Sequence, residues 1–263
     1  MKKSKKKIGL ALGSGGARGF CHIGVLKVLE ENHIPIDYVS GCSMGALVGA
    51  CYCAGVSIDE MSQIVSSLTQ RKIVDLDISI KKAGMLKGER ALAYVKKLIG
   101  DIQFEDLKVP FAVTATDVLK GELVTFTQGI VTDAVRASMS VPVVFQSVKV
   151  EGKDCLIDGG VIERIPIKAV RDLGADIVIA VDALGPPKPI DEMSGLLNMI
   201  ERVYLLMDWE SSKTKLAQAD LVITPEQGDR SMQKFIKNKE SIEFGEEAAR
   251  KMLPKIKEIV GIK

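Results

Sequence analysis

Two patterns of apolar and polar positions alternate along this chain. Short, continuous apolar runs bounded by turn residues occur at Ile8–Leu12, in DYVSGC and in DIVIAVDAL, and they predict buried strands. Between them, ARGFCHIGVLKVLEEN over 17–32 sets Phe20, Ile23 and Leu26 at helical spacing. SMGALVGACYCA is full of small residues and predicts a tightly packed helix. SIDEMSQIVSSL opens with Ser57 three residues before Glu60, the signature of a capping box.

Farther along, Gly88 to Gly100 reads as a helix, and PFAVTATDV and ELVTFTQG read as strands across the turn LKGE. VTDAVRASM predicts a short helix. SVKVEGKDCLID predicts a hairpin that runs into Gly159–Gly160. A helix from Ile167 to Leu173 follows, and GPPKP at 185–189 breaks the chain after DIVIAVDAL. The remainder reads as a long amphipathic helix over 191–215, a last strand in DLVITPE and a terminal helix over 241–260. Strands that alternate with helices predict an α/β fold, with a mostly parallel sheet covered on both faces. The Met, Leu, Tyr and Trp stripe of LLNMIERVYLLMDW, Leu196 to Trp209, is expected in the core, the alternative being a lipid-facing or dimer-forming surface.

Composition narrows the classes. Hydrophobic residues make up 46% and charged residues 27% of 263, as in a globular protein with a sizeable core. The net charge of +2 is too small to make nucleic acid the main partner, and much of it sits in MKKSKKK. Residues 1–7 therefore read as a frayed basic tail, with weak attraction to an anionic membrane surface as the alternative. The five apolar residues of IGLAL fall short of the roughly 7–15 of a signal peptide, and no apolar run nears the ~20 of a membrane span. Cysteines at 21, 42, 51, 53 and 155 form no CxxC pair, so neither zinc nor a disulfide framework is expected, and the compartment reads as reducing and cytoplasmic.

Three glycine-bearing sites carry candidate chemistry. LGSGGARG, Leu12 to Gly19, lies between a strand and a helix, where backbone N–H groups favour negative charge. It fits neither a dinucleotide fingerprint nor a P-loop, which leaves an oxyanion site or a plain tight turn. GCSMG, Gly41 to Gly45, has the strand–serine–helix setting of a nucleophile elbow around Ser43, or Ser43 is simply a helix cap. CLIDGG ends an apolar run on Asp158, before Gly159 and Gly160. The only histidines, His22 and His33, precede Ser43, so the Ser–acid–His order of α/β-hydrolases is excluded. His22 reads as a packing residue and His33 as a helix C-cap. A buried aspartate could instead act on Ser43 directly, since burial raises its low pKa.

These segments resemble the patatin-like phospholipase family, especially its short bacterial members. The resemblance covers residues 8–185 most strongly: LGSGGARGFCHIGVLKVLEE, VSGCSMGALVGACYCAG, FEDLKVPFAVTATDVLKGE, VRASMSVPVVF and CLIDGGVIERIPI follow the family's order. It implies a three-layer α/β/α fold over one domain, 8–263, and a Ser–Asp dyad without histidine, metal or cofactor. Ser43 would be the nucleophile and Asp158 the base. N–H groups of the Ser14–Gly19 turn, above all those of Gly15 and Gly16, would form the oxyanion hole. Ser14, Arg18, Gly19, Gly41, Gly45, Gly159 and Gly160 would support the motifs, with Arg18 either holding the loop or acting electrostatically. Ser14, Cys42, Glu163 and Arg164 depart from the family's usual residues, and the last two put substrate preference in doubt.

The expected activity is hydrolysis of lipid or other acyl esters, phospholipase A-like or lysophospholipase-like, through an acyl-serine. The alternatives are a regulatory binding module with a degenerate site, or an acyltransferase. Expected partners are the ester substrate, a membrane surface touched transiently at its inner face, and a second copy in a homodimer.

Overall fold

The computed structural model describes residues 6–68, 89–142, 144–228, 230, 232 and 235–262. The first five residues of the basic tail lie outside them. Strands β1 (Ile8–Leu12), β2 (Tyr38–Cys42), β3 (Phe111–Asp117), β4 (Glu122–Phe126), β5 (Val148–Val150), β6 (Lys153–Asp158), β7 (Ile177–Val181) and β8 (Leu221–Ile223) form one sheet. Its order is β5-β6-β3-β2-β1-β7-β8, with β4 on β3. Strands β1, β2, β3, β7 and β8 run parallel, while β4 and β6 run antiparallel to β3.

The central strands are buried almost throughout, with β1 and β7 apolar along their length, because helices cover both faces. Along β1, Leu10 and Leu12 join the larger core and Ala11 the smaller one, as period-two alternation requires. The larger core lies under α1 (Cys21–Glu31), α2 (Met44–Ala54), α3 (Ile58–Ser67), α4 (Glu89–Ile99), α5 (Val131–Ser138) and α8 (Asn238–Val260). On the opposite face, Ile167 and Val170 of α6 (Ile167–Asp172) and Leu216 of α7 (Leu196–Leu216) pack over Ala11, Val178 and Ala180. The result is the expected three-layer α/β/α architecture. Helices α1 and α8 cross with their backbones in contact, since a Cβ on Gly24 or Gly245 would run into the other helix. No described helix is long and apolar enough to cross a membrane.

Element boundaries follow local chemistry. The segment after the glycine turn starts as a 3₁₀ helix over Gly16–Phe20 and becomes α-helical only at Cys21. Ser57 Oγ accepts the Glu60 N–H at 3.2 Å, the cap expected for α3. His33 ends the α1 turn with a left-handed φ of 53° and donates its N–H to Glu30 O at 2.9 Å.

One expectation is overturned. The α7 stripe does not pack in the core. Leu196 is 75% exposed and Met207 69%, while the opposite side of the helix supplies the buried Asp208 and Ser212.

One topological detail positions the site. Strand β3 pairs with β2 through Thr114 and then with β6 from Ala115 onward. Because β4 occupies its other edge, β2 and β6 meet end to end along one edge of β3. Cys42 pairs with Thr114 and Asp158 with Ala115, so the last residues of the two strands are brought together.

Candidate active site

Ser43 stands between β2 and α2 with φ 53° and ψ −119°. A serine in this backbone region carries strain of about 1–3 kcal/mol, which the surroundings must hold. The Ser43 N–H donates to Ser138 Oγ at 2.7 Å, and the Ser43 carbonyl accepts from Ala46 and Leu47. The two glycines of GCSMG permit the approach of neighbouring backbone. A Cβ on Gly41 would meet Ala46 Cα at 2.5 Å, and one on Gly45 would meet Gly13 O at 2.6 Å. The side chain of Ser43 is only 5% exposed.

Asp158 ends β6, and its own N–H donates to Ser140 O at 2.9 Å. Its Oδ1 accepts the Gly160 N–H at 2.8 Å and the Cys42 thiol at 3.6 Å. Burial pushes the carboxyl up to about 6, against hydrogen bonds from Ser43, Gly160 and Cys42 that favour the charged form. Gly159 lets this turn pack on Thr114, whose carbonyl oxygen would be 2.6 Å from an added Cβ.

The glycine loop is held by three backbone hydrogen bonds to other segments and one within itself. N–H groups of Gly13, Ser14, Ala17 and Arg18 donate to Val181, Arg164, Met232 and Gly15 carbonyls at 2.8–3.1 Å. Among the described residues, the Gly15 and Gly16 N–H groups have no protein acceptor. Gly16 has φ 52° and lines the same cavity as Ser43. Ser14 keeps a negative φ, so it occupies its loop position without strain. Gly19 packs on Met44, the residue after Ser43; an added Cβ would lie 2.6 Å from the Met44 Cβ.

Arg18 donates to Leu184 O at 3.2 Å, and Gln227 donates to Arg18 O at 2.9 Å, so Arg18 ties the loop to the chain after β7. His22 contributes more than packing. Its Nε2–H donates to Gly13 O at 2.7 Å, and burial lowers its pKa to about 4, so the ring stays neutral. It anchors the loop from α1.

An apolar cavity opens from Ser43 along the α2 side. Ile23, Leu47, Val48, Met61 and Val65 line it, and Leu98, Phe145 and Phe235 complete it. A larger cleft of about 740 Å³, beside Phe104, Glu105 and Glu151, holds no nucleophile–base pair, so its size does not make it the site. No group of three or more His, Cys, Asp or Glu among the described residues could hold a metal ion.

The two residues after Ile162 lie away from this cavity. Arg164 is 2% exposed, and its guanidinium bridges Asp182 at 2.9 Å and Asp208 at 2.7 Å. It thereby ties α7 to the end of β7. Glu163 is also buried, and burial raises its pKa. These departures from the usual pattern build the fold around the turn instead of lining the cavity. Tyr204 of α7, which no motif marked, brings its hydroxyl to Gly160: the site of an added Cβ there is 3.2 Å from Tyr204 Oη, 3.2 Å from Ser14 Oγ and 3.0 Å from Asp158 Oδ1.

The model of the family described as Patatin-like phospholipase matches residues 10–171. The chain belongs to the patatin-like phospholipase family. All three glycine-bearing sites of this patatin-like chain fall inside the match, whereas α7 and Tyr204 fall outside it. An uncharacterized NTE family protein of Mycobacterium tuberculosis is 42% identical over 183 residues, covering 69% of this chain and 50% of that protein. Lysophospholipase NTE1 of Pyricularia oryzae is 33% identical over 206 residues, covering 75% of this chain and 14% of that protein. The patatin-like chain thus spans half the length of the first and a small part of the second. Among solved structures, VipD from Legionella pneumophila shares the fold, with a TM-score of 0.63 at 13% identity over 95% of this chain and 67% of that one.

Proposed function

We propose that this chain is a serine acyl hydrolase of lipid esters that works through Ser43 and Asp158 without histidine. The observation that carries the proposal is the buried Asp158 carboxyl, raised to about 6 by burial and set with its Oδ1 3.6 Å from the thiol of Cys42, the residue before Ser43. At neutral pH such a group is mostly ionised, yet it is a stronger base than a carboxylate at its ordinary value of 3.8.

Ser43 Oγ attacks the ester carbonyl carbon while its proton passes to Asp158. The carbonyl oxygen becomes the oxyanion, and the unpartnered Gly15 and Gly16 N–H groups receive it. The intermediate collapses, the C–O bond to the alcohol breaks, and the leaving alkoxide takes the proton from Asp158. Water then gives its proton to Asp158 and attacks the acyl-Ser43 carbonyl. Collapse returns the proton to Ser43 Oγ and frees the fatty acid.

The apolar cavity beside Ser43 suits a fatty acyl chain. The name of the fungal relative makes lysophospholipids the first substrate class to test. A fluorophosphonate probe followed by intact mass tests the nucleophile. One adduct on the wild-type chain, absent in Ser43→Ala, supports the proposal; a folded wild-type chain that takes no adduct overturns it.

A further inference from the structure

Two residues outside the usual pattern of the family meet beside Asp158. Ser14 stands where the loop usually has glycine, and Tyr204 belongs to α7, beyond the matched residues 10–171. Gly160 marks where they meet. A Cβ placed on it would lie 3.2 Å from Ser14 Oγ, 3.2 Å from Tyr204 Oη and 3.0 Å from Asp158 Oδ1. Gly160 has no positive φ, so its backbone does not require glycine. The space does: a side chain would fill the gap that the three oxygens share.

Among the described residues, neither Ser14 Oγ nor Tyr204 Oη has a protein hydrogen-bond partner. Burial raises the Tyr204 pKa, and the charges of Asp158 and Asp208 add to the shift, so the phenol keeps its proton as a donor. One residue holds both groups in place. The Ser14 N–H donates to the Arg164 carbonyl at 2.9 Å, and the Arg164 guanidinium bonds Asp208, one turn beyond Tyr204, at 2.7 Å. Arg164 thus sets the glycine loop and α7 in register over the Asp158 turn.

We propose that Ser14 and Tyr204 position the water that hydrolyses acyl-Ser43, holding it against the Asp158 carboxylate beside Gly160. The proposal rests on the hydrolase reading above. Three oxygens that surround one point without bonding to one another are partners for a single bridging water. Ser14, Asp158 and Gly160 are buried, so the gap suits a small molecule. None of these residues, nor Tyr204, lines the apolar cavity, so an acyl chain in that cavity leaves the gap to water. The water donates one O–H to Asp158 and the other to Ser14 Oγ, and it accepts the Tyr204 O–H. One lone pair remains for the acyl carbon. As that pair forms the new C–O bond, the proton on the Asp158 side passes to the carboxylate. The C–Oγ bond then breaks, Ser43 Oγ takes the proton back, and the acid leaves. Formation of acyl-Ser43 needs no water, so the pair acts on one half of the reaction.

A p-nitrophenyl carbamate separates the two halves, because a carbamoyl-Ser43 adduct is cleared slowly enough to follow by intact mass. Tyr204→Phe should carbamoylate at the wild-type rate and lose the adduct about tenfold more slowly. Ser14→Ala should do the same. The double variant should fall short of the product of the two effects, because both groups hold one water. A merely structural role would slow both steps together. Adduct loss at the wild-type rate in both variants overturns the proposal, as does carbamoylation slowed by the same factor as adduct loss. In either case a wild-type chain that cleaves a short-chain ester keeps the hydrolase reading intact. A folded wild-type chain that takes no carbamate and cleaves no ester overturns that reading, and the positioning role with it.

Discussion

Asp158 meets Cys42, the residue immediately before Ser43, with 3.6 Å between Oδ1 and Sγ. The contact follows from strand register: Cys42 and Asp158 pair with consecutive residues of β3. A parallel strand and an antiparallel strand end on the same edge, and their last side chains share one buried space. Asp158 thus reaches the turn of Ser43 without a loop of its own.

The first prediction concerns pH. The free enzyme's kcat/KM should fall on the acid side with a midpoint near 6, because protonated Asp158 cannot accept the Ser43 proton. His22 does not supply that limb, since burial holds its pKa at about 4. A pH–rate profile on a soluble ester measures this directly.

Cys42 should tune that midpoint. A threonine hydroxyl is a stronger donor than a thiol, so Cys42→Thr stabilises the carboxylate and moves the acid limb below that of wild type. Cys42→Ala removes the donor and moves the limb upward. The pair of pH profiles distinguishes this effect from a loss of fold, which lowers activity without moving the midpoint.

His22→Ala should impair turnover through the loop. It leaves the buried Gly13 carbonyl without its 2.7 Å partner, at a cost of about 1–3 kcal/mol. The expected result is a fall in kcat of roughly 10²-fold or less with KM little changed, because only the oxyanion donors are displaced. Steady-state kinetics on the soluble ester check it.

Arg164→Asn should cost stability, not specificity. Removing the guanidinium leaves Asp182 and Asp208 buried without their shared partner, which typically destabilises by about 3–5 kcal/mol. Denaturant unfolding should show the loss, while the ratio of activities on short and long acyl esters stays that of wild type.

Much of the candidate site's geometry was legible because its signals are local. Gly41, Ser43 and Gly45 form a turn whose chemistry is written in five consecutive residues, and Asp158 ends an apolar run before two glycines. Other contributions depend on partners far along the chain. Arg164 read as a departure bearing on substrate preference because its carboxylates come from positions 182 and 208. His22 looked like packing because its acceptor is a backbone carbonyl, which leaves no mark in sequence. The α7 periodicity identified one apolar face but not what it would meet, so its exposure had to come from the structure. Tyr204 sits on that same helix, where the eye reads only hydrophobic spacing.

The central claim is that Asp158 acts as the base, and Asp158→Asn measures it most directly. Its folded pKa of about 6 lies above the ordinary 3.8, so the folded state binds the extra proton in that window and stability falls as pH rises through it. A neutral asparagine should therefore leave the protein at least as stable at neutral pH, by up to about 3 kcal/mol more. Hydrolysis of a short-chain ester by this stable variant should drop by about 10²–10⁴-fold, the usual share of a general base. Turnover equal to wild type in the folded Asp158→Asn variant would contradict the account.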